Sequence, residues 1–320
     1  MAIKSLPAGT RIGSKDACRT RECEWAKRKR TAVTVFVLFL CATALSACSR
    51  LDSIDYNPKI TPEEFLGAQP YLHVRFPVAD FILIQPSSTV IVYSVALLTL
   101  GVGLHLLRVR HSQQTRLWWG IGLLLTGFGA LLAGTSYQAF GYEIKCAGRA
   151  FCTWTSWWEV TYLLFSAAGM NAMLVATAYS CTTGSLRTAL SALAVAGTAI
   201  YTGVVLTGAF VPVRFLVSFE CLMLAAAPAV ALALILTGSS YYKRRDPMNL
   251  ALLRTWAGFV MVIVAYVVAL AMGITQTLRT RGIWFTENDV LHVGMILWIL
   301  HIAVSLPKTV EDMRDSRENP

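Results

Sequence analysis

The sequence predicts an all-α membrane protein: a seven-transmembrane helix bundle behind an N-terminal signal or lipoprotein leader. Three observations predict it. Of 320 residues, 55% are hydrophobic and only 14% charged, with a mean hydropathy of +0.55, whereas a soluble domain carries about 25% charged residues. Seven apolar runs, each near the ~20 residues that cross ~30 Å of hydrocarbon, follow a shorter one that ends at a cysteine. The basic residues between the runs alternate between rich and poor loops. Together these exclude an ordinary soluble globule, a disordered chain, collagen and a disulfide-stapled mini-protein.

The leader comes first. Nine basic and three acidic residues fall within positions 1–30, so most of the net charge of +10 sits there. No RNP, zinc-finger or helix-turn-helix pattern accompanies the rest, which argues against nucleic acid as a partner. Lys27, Arg28, Lys29 and Arg30 precede an apolar stretch of signal-peptide length that ends Leu45-Ser46-Ala47-Cys48. This tetrad resembles the bacterial lipobox, in which small residues admit the peptidase and the cysteine thiol takes the lipid. Lipidation at Cys48 is therefore expected; an uncleaved signal anchor is the other reading. In both, the chain beyond residue 48 begins outside the cytoplasm of a bacterial inner membrane.

The expected organisation is a leader over 1–47, an extracytoplasmic segment over 48–86, the bundle over 87–307 and a cytoplasmic tail over 308–320. Within 48–86, Thr61-Pro62-Glu63-Glu64 reads as an N-cap, a proline at N1 and acids on the helix dipole, with Gly67 ending a short helix. The segment is too small for a domain of its own and should lie on the bundle or the membrane surface. The spans read as 88–107, 117–138, 157–181, 188–208, 215–237, 255–277 and 289–306. All should be helices, because backbone groups in lipid must be satisfied within the segment. With residue 49 outside, eleven Lys/Arg flank the inner ends, among them Arg108, Arg110, Arg116, Lys243, Arg244 and Arg245. Five lie in the outside loops between spans: Lys145, Arg149, Arg214, Arg279 and Arg281. The bias gives an extracytoplasmic N-terminus after processing and a cytoplasmic C-terminus.

The outer loop Lys145-Cys146-Ala147-Gly148-Arg149-Ala150-Phe151-Cys152 places two thiols in an oxidising compartment, and a Cys146–Cys152 disulfide is expected. In the second span Gly120, Gly127 and Gly134 recur every seven residues, with Gly122 and Gly129 on a neighbouring stripe. Such stripes let helices approach closely.

Ionisable groups in spans are costly and mark function. Here they gather in the outer half. Ser136 and Gln138 end the second span, Glu159 opens the third, and Asn288, Asp289 and His292 open the seventh, with Asp289 and His292 on one face. Glu220 is expected about 8 Å inside the fifth span at ~1.5 Å per residue. These seven residues predict a polar pocket open to the outside; the alternative is the ordinary polarity of helix ends. His105 and His301 share a depth near the inner ends of the first and last spans. Two packed or interfacial histidines are the favoured reading there over a bis-His haem site. An opsin-like reading fails, since the seventh span has no lysine for a Schiff base.

Three stretches carry a resemblance: Gln85-Pro86-Ser87-Ser88-Thr89, Gly134-Thr135-Ser136-Tyr137-Gln138-Ala139-Phe140 and Asn288-Asp289-Val290-Leu291-His292. Together they resemble bacterial members of the CREST superfamily, the seven-helix group of alkaline ceramidases and adiponectin-receptor-like proteins, over roughly residues 80–306. The resemblance implies a zinc held by one histidine near the end of the second span and two in the seventh, with a zinc-bound water attacking an amide or ester. His292 matches one seventh-span ligand and Ser136 the accompanying serine. Gln138 stands at the second-span histidine, and Asn288 and Ile296 stand four residues from His292, so two of three ligands are missing. The first expectation is thus a non-catalytic protein that binds a lipid, a quinone-like molecule or another amphiphile among membrane lipids, or serves as a membrane-protein partner subunit. The alternative is a CREST-type lipid amide or ester hydrolase. A transporter would rest on Glu220 alone. Beyond what the resemblance implies, the residues name no cofactor.

Overall fold

The computed structural model describes residues 50–313 apart from 78. The leader, the acylation expected at Cys48 and residues 314–320 of the tail lie outside the described residues. Residues 50–86 and the bundle form one compact unit.

Thr61 caps α1 (Pro62–Gly67): its hydroxyl accepts from Glu64 N, and the Glu64 carboxylate accepts from Thr61 N at 2.8 Å. This reciprocal capping box satisfies two orphan donors. A hairpin follows that the helical reading left out, β1 (Tyr71–Phe76) antiparallel to β2 (Ala79–Ile84), with Tyr71 opposite Ile84 and Phe76 opposite Ala79. Its aromatic and branched residues suit a pleated surface. Glu143 Oε1 accepts from Ile82 N at 2.9 Å, which anchors β2 to the disulfide loop.

The spans are α2 (Pro86–Arg108), α3 (Gln114–Ala133) running on as a π turn (Gly134–Ala139), α5 (Trp157–Cys181), α6 (Gly184–Phe210), α7 (Phe219–Arg244), α8 (Pro247–Ala271) and α10 (Glu287–Thr309). The short helices α4 (Gly141–Lys145) and α9 (Ile274–Arg279) lie between them. Seven helices among the described residues are long and apolar enough to cross a membrane. The fold is the expected all-α seven-helix bundle, and the chain is a membrane protein. α5 packs against α3, α6 and α7 and is the most buried span; α10 closes back onto α2.

Several span boundaries differ from expectation, and two starts have a clear local cause. The sixth begins eight residues early, because the Asp246 side chain accepts from Asn249 N and Pro247 occupies the first turn. The fifth begins four residues late. Ser218 is its N-cap, and Arg214–Val217 form a 3-10 turn instead.

Both glycine stripes meet a partner helix. A Cβ at Gly120, Gly127 or Gly134 would lie 2.6–2.8 Å from Leu107, Leu100 or Val92 of α2. One at Gly122 would lie 2.9 Å from Gly169 O of α5, and one at Gly129 3.1 Å from Ser166 Oγ. Adding a methyl group at the tightest of these sites forces the helices apart.

The bundle has two faces. The cap face carries residues 50–86 and the disulfide loop; Leu51 and Ile54 are buried with Val160, Leu163 and Tyr201. The tail face carries residues 310–313, whose Asp312 carboxylate accepts from Gln114 N at 2.8 Å and Thr115 N at 2.7 Å and so caps α3. The half near the tail face is filled by aromatic side chains. Trp119 and Trp256 rings stand 5.8 Å apart and Phe259 and Trp298 5.2 Å. The two buried indoles of α8 and α10 are satisfied: Trp256 donates to Thr177 Oγ1 at 3.0 Å and Trp298 to Thr255 O at 2.8 Å.

Candidate functional site

The polar groups of the cap-face half fall into two seams. The first lies between α3 and α5. The π turn carries Ser136 against α5, where its hydroxyl donates to Glu159 Oε1 at 2.8 Å and meets Ser156 Oγ at 2.8 Å. Ser136 has one proton and gives it to the carboxylate, so Ser156 is the donor within the serine pair. Lys145 Nζ donates to the same Glu159 Oε1 at 2.9 Å, and both side chains are almost wholly buried, at 4% and 1% exposure. The ammonium also stands 4.9 Å from the centre of the Tyr137 ring. Burial pushes the Lys145 ammonium down, but Glu159 and Tyr56 more than offset it and hold it above its ordinary value. Glu159 Oε2 has no partner.

Lys145 reaches this depth because its backbone is pinned on both sides. Thr153 N donates to Lys145 O at 3.0 Å, and the expected Cys146–Cys152 disulfide follows immediately.

The second seam lies between α2 and α10. Thr286 and Asp289 form a capping box at the start of α10. Asp289 Oδ2 accepts from Thr286 N at 2.7 Å, from Thr286 Oγ1 at 3.0 Å and from Ser88 Oγ at 3.0 Å. Asp289 is 1% exposed, yet its Oδ1 has no partner. His292, one turn further in and half-buried, has an unpartnered Nδ1. Gln138 is buried, with Oε1 unpartnered. Its level is fixed by its neighbours: Gly134 lies against Val92 and Gly141 against Ile84. The antiparallel register therefore brings Gln138 level with Ser88.

The seven expected pocket residues thus divide. Ser136 joins Glu159 on one seam and Asp289 and His292 belong to the other; Gln138 lies level with Ser88 but makes no hydrogen bond to either carboxylate, and no hydrogen bond links the seams among the described residues. Glu220 is a correction. It is exposed in the first turn of α7, where the helix dipole favours it, because the helix starts at Ser218 and not at 215. Asn288 is likewise exposed in the first turn of α10. Lys145, Ser156 and Ser88 complete the seams, and the sequence reading did not place them there. His105 is exposed, while His301 is half-buried with Ser305 Oγ 3.4 Å from its Nδ1.

A zinc site needs three or four converging donors. Among the described residues no three His, Cys, Asp or Glu side chains come together. Asp289 and His292 offer two, and one oxygen of Asp289 is already taken by three donors, so the residues present do not fit a structural or catalytic zinc.

Residues 88–309 match the model described as a family of unknown function (DUF6962). The chain belongs to this family. No curated protein and no solved structure matches it. The part shared with DUF6962 begins at Ser88, ends with α10 and holds every side chain named in the two seams except Tyr56.

Proposed function

We propose that this protein is a polytopic protein of a bacterial inner membrane that binds the polar end of a lipid or other amphiphile at its cap-face seams, without chemistry on it. One observation carries the reading: two oxygens on nearly inaccessible side chains, Gln138 Oε1 and Asp289 Oδ1, lack partners. Buried polar atoms are ordinarily hydrogen-bonded, and leaving one bare costs about 1–3 kcal/mol. A bound head group or its water satisfies them. A non-catalytic role is supported by the Ser136 proton, which is committed to a carboxylate already neutralised by Lys145.

The cap face is the extracytoplasmic one in this reading. The basic residues concentrated at the opposite helix ends support it, as does the disulfide on the cap face. The signal peptide and the acylation of Cys48 belong to the same reading. The test is native mass spectrometry of protein extracted from its membrane. A bound amphiphile on the wild type, lost in Gln138→Leu, is expected; a bare chain, or an amphiphile retained equally by the variant, contradicts it. A co-purifying protein in place of a lipid would turn the reading to a membrane-complex subunit.

A second reading keeps the likeness to CREST hydrolases. It is favoured by His292 Nδ1, which is buried without a partner one turn from Asp289. Two converging donors are too few for zinc, so this reading stands only if elemental analysis finds about one zinc per chain that is lost in His292→Ala.

A further inference from the structure

We propose that the seam between α2 and α10 receives the primary ammonium group of an amine-bearing amphiphile, seated against Asp289, Gln138 and His292. This rests on the amphiphile-binding reading and names the chemistry of its ligand.

The charge balance of the two seams carries the inference. Glu159 is ion-paired with Lys145. Asp289 is equally buried, and among the described residues no lysine or arginine pairs with it. Its three donors, the Thr286 amide and hydroxyl and the Ser88 hydroxyl, are neutral and all reach Oδ2. The helix dipole favours the charge only in part. The seam is therefore short of one positive charge. It is also short of donors: Asp289 Oδ1 and Gln138 Oε1 only accept, and a neutral His292 accepts at Nδ1 when the proton is on Nε2. An ammonium supplies three N–H donors and the missing charge in one group. A phosphate, carboxylate or quinone carbonyl brings only acceptors, and an anion would meet an uncompensated carboxylate.

The position explains why the amine belongs to an amphiphile. Asp289 opens a span, and Val293 and Leu297, four and eight residues further along the same side of α10, are exposed apolar side chains. A head group held at Asp289 leaves its chain free to run down that surface.

The test titrates the full-length protein in detergent with tetradecylamine and tetradecanol, and separately with dioleoyl phosphatidylethanolamine and dioleoyl phosphatidylglycerol, counting adducts by native mass spectrometry. The wild type should prefer tetradecylamine over tetradecanol by about tenfold, the effect of one charge-assisted hydrogen bond. Asp289→Asn should bring the two to parity. Gln138→Leu leaves the capping box intact and should narrow the preference, which keeps the test open if the first variant does not fold. A matching preference for the ethanolamine lipid assigns the ammonium to a phospholipid head group; preference confined to tetradecylamine assigns it to a single-chain amine. Equal binding of all four probes overturns the ammonium inference and leaves the amphiphile reading standing. No adduct from any probe overturns both. A preference that survives Asp289→Asn overturns the placement.

Discussion

Glu159 and Asp289 lie in the same half of the bundle, each in the first turn of a span and each 1% exposed. One receives an ammonium from its own chain; the other receives only neutral donors. A buried carboxylate is tolerated when paired and hydrogen-bonded. The α3–α5 seam meets that condition within the fold, and its components are tied by the disulfide loop. The α2–α10 seam does not: Asp289 has no counter-charge among the described residues and its Oδ1 has no partner. The contrast separates a carboxylate completed by its own chain from one that is not.

The largest expected effect breaks the first seam. Lys145→Met leaves Glu159 buried without a counter-charge and should cost about 3–5 kcal/mol, as removing one partner of a buried pair does. The double variant Lys145→Met/Glu159→Leu should recover a large part of that, and thermal midpoints in one detergent check both. The pH dependence has a defined sign. The Lys145 value is raised in the folded state, so its contribution is fully present below about the ordinary 10.5 and is lost as pH rises through the higher folded value. In Glu159→Gln burial is no longer offset by the carboxylate, so the Lys145 ammonium falls below its ordinary value; the variant's deficit should shrink as pH rises toward 10.5, while the wild type's Lys145 contribution stays constant over that range.

Next in size is the approach of α3 and α5 beneath that seam. A Cβ at Gly169 would lie 2.5 Å from Thr126 Oγ1 and 2.9 Å from Gly122 O. Gly169→Val should therefore cost about 1–3 kcal/mol or more by overpacking, while Gly203→Val, where nothing stands within 4 Å, should be near neutral in packing. Opening the disulfide with Cys146→Ser/Cys152→Ser should cost about 2 kcal/mol from the short loop it closes and should also reduce the protection of Lys145 from amine-reactive reagents. The smallest effect belongs to Glu220→Gln: an exposed first-turn acid is worth about 0.3–1 kcal/mol.

How much of this was legible in the sequence follows from the physics of each feature. Spans announce themselves because hydrocarbon demands a long apolar run. The glycine stripes were readable because seven-residue spacing fixes a helix face, and α2 and α5 occupy those two faces. The Thr61 capping box and the Cys146–Cys152 pair are local, and local chemistry is written locally. Lys145 was not readable. A lysine in a polar loop looks solvated, and only the backbone bond from Thr153 and the turn of the chain around the disulfide carry it inward. The π turn at Gly134–Ala139, which turns Ser136 and Gln138 to different helices, has no periodic signal of its own. Glu220 was misplaced because Phe215, Leu216 and Val217 extend the apolar run without extending the helix; the Ser218 cap was the signal that hydropathy hid. The hairpin was overlooked because the alternation in Tyr71-Leu72-His73-Val74-Arg75-Phe76 is short beside seven long helices.

The most direct test of the difference between the seams is a single comparison of thermal midpoints, Glu159→Gln against Asp289→Asn, in one detergent without added lipid. Glu159→Gln strands the buried Lys145 ammonium and should lower the midpoint by many degrees. Asp289→Asn removes a charge that has no counter-charge in the chain and keeps an oxygen for the Thr286 cap, so its midpoint should stay within about 1 kcal/mol of the wild type, the size of one capping bond. Equal, large losses in both variants would contradict the account, because they would mean that Asp289, like Glu159, is already paired within the fold.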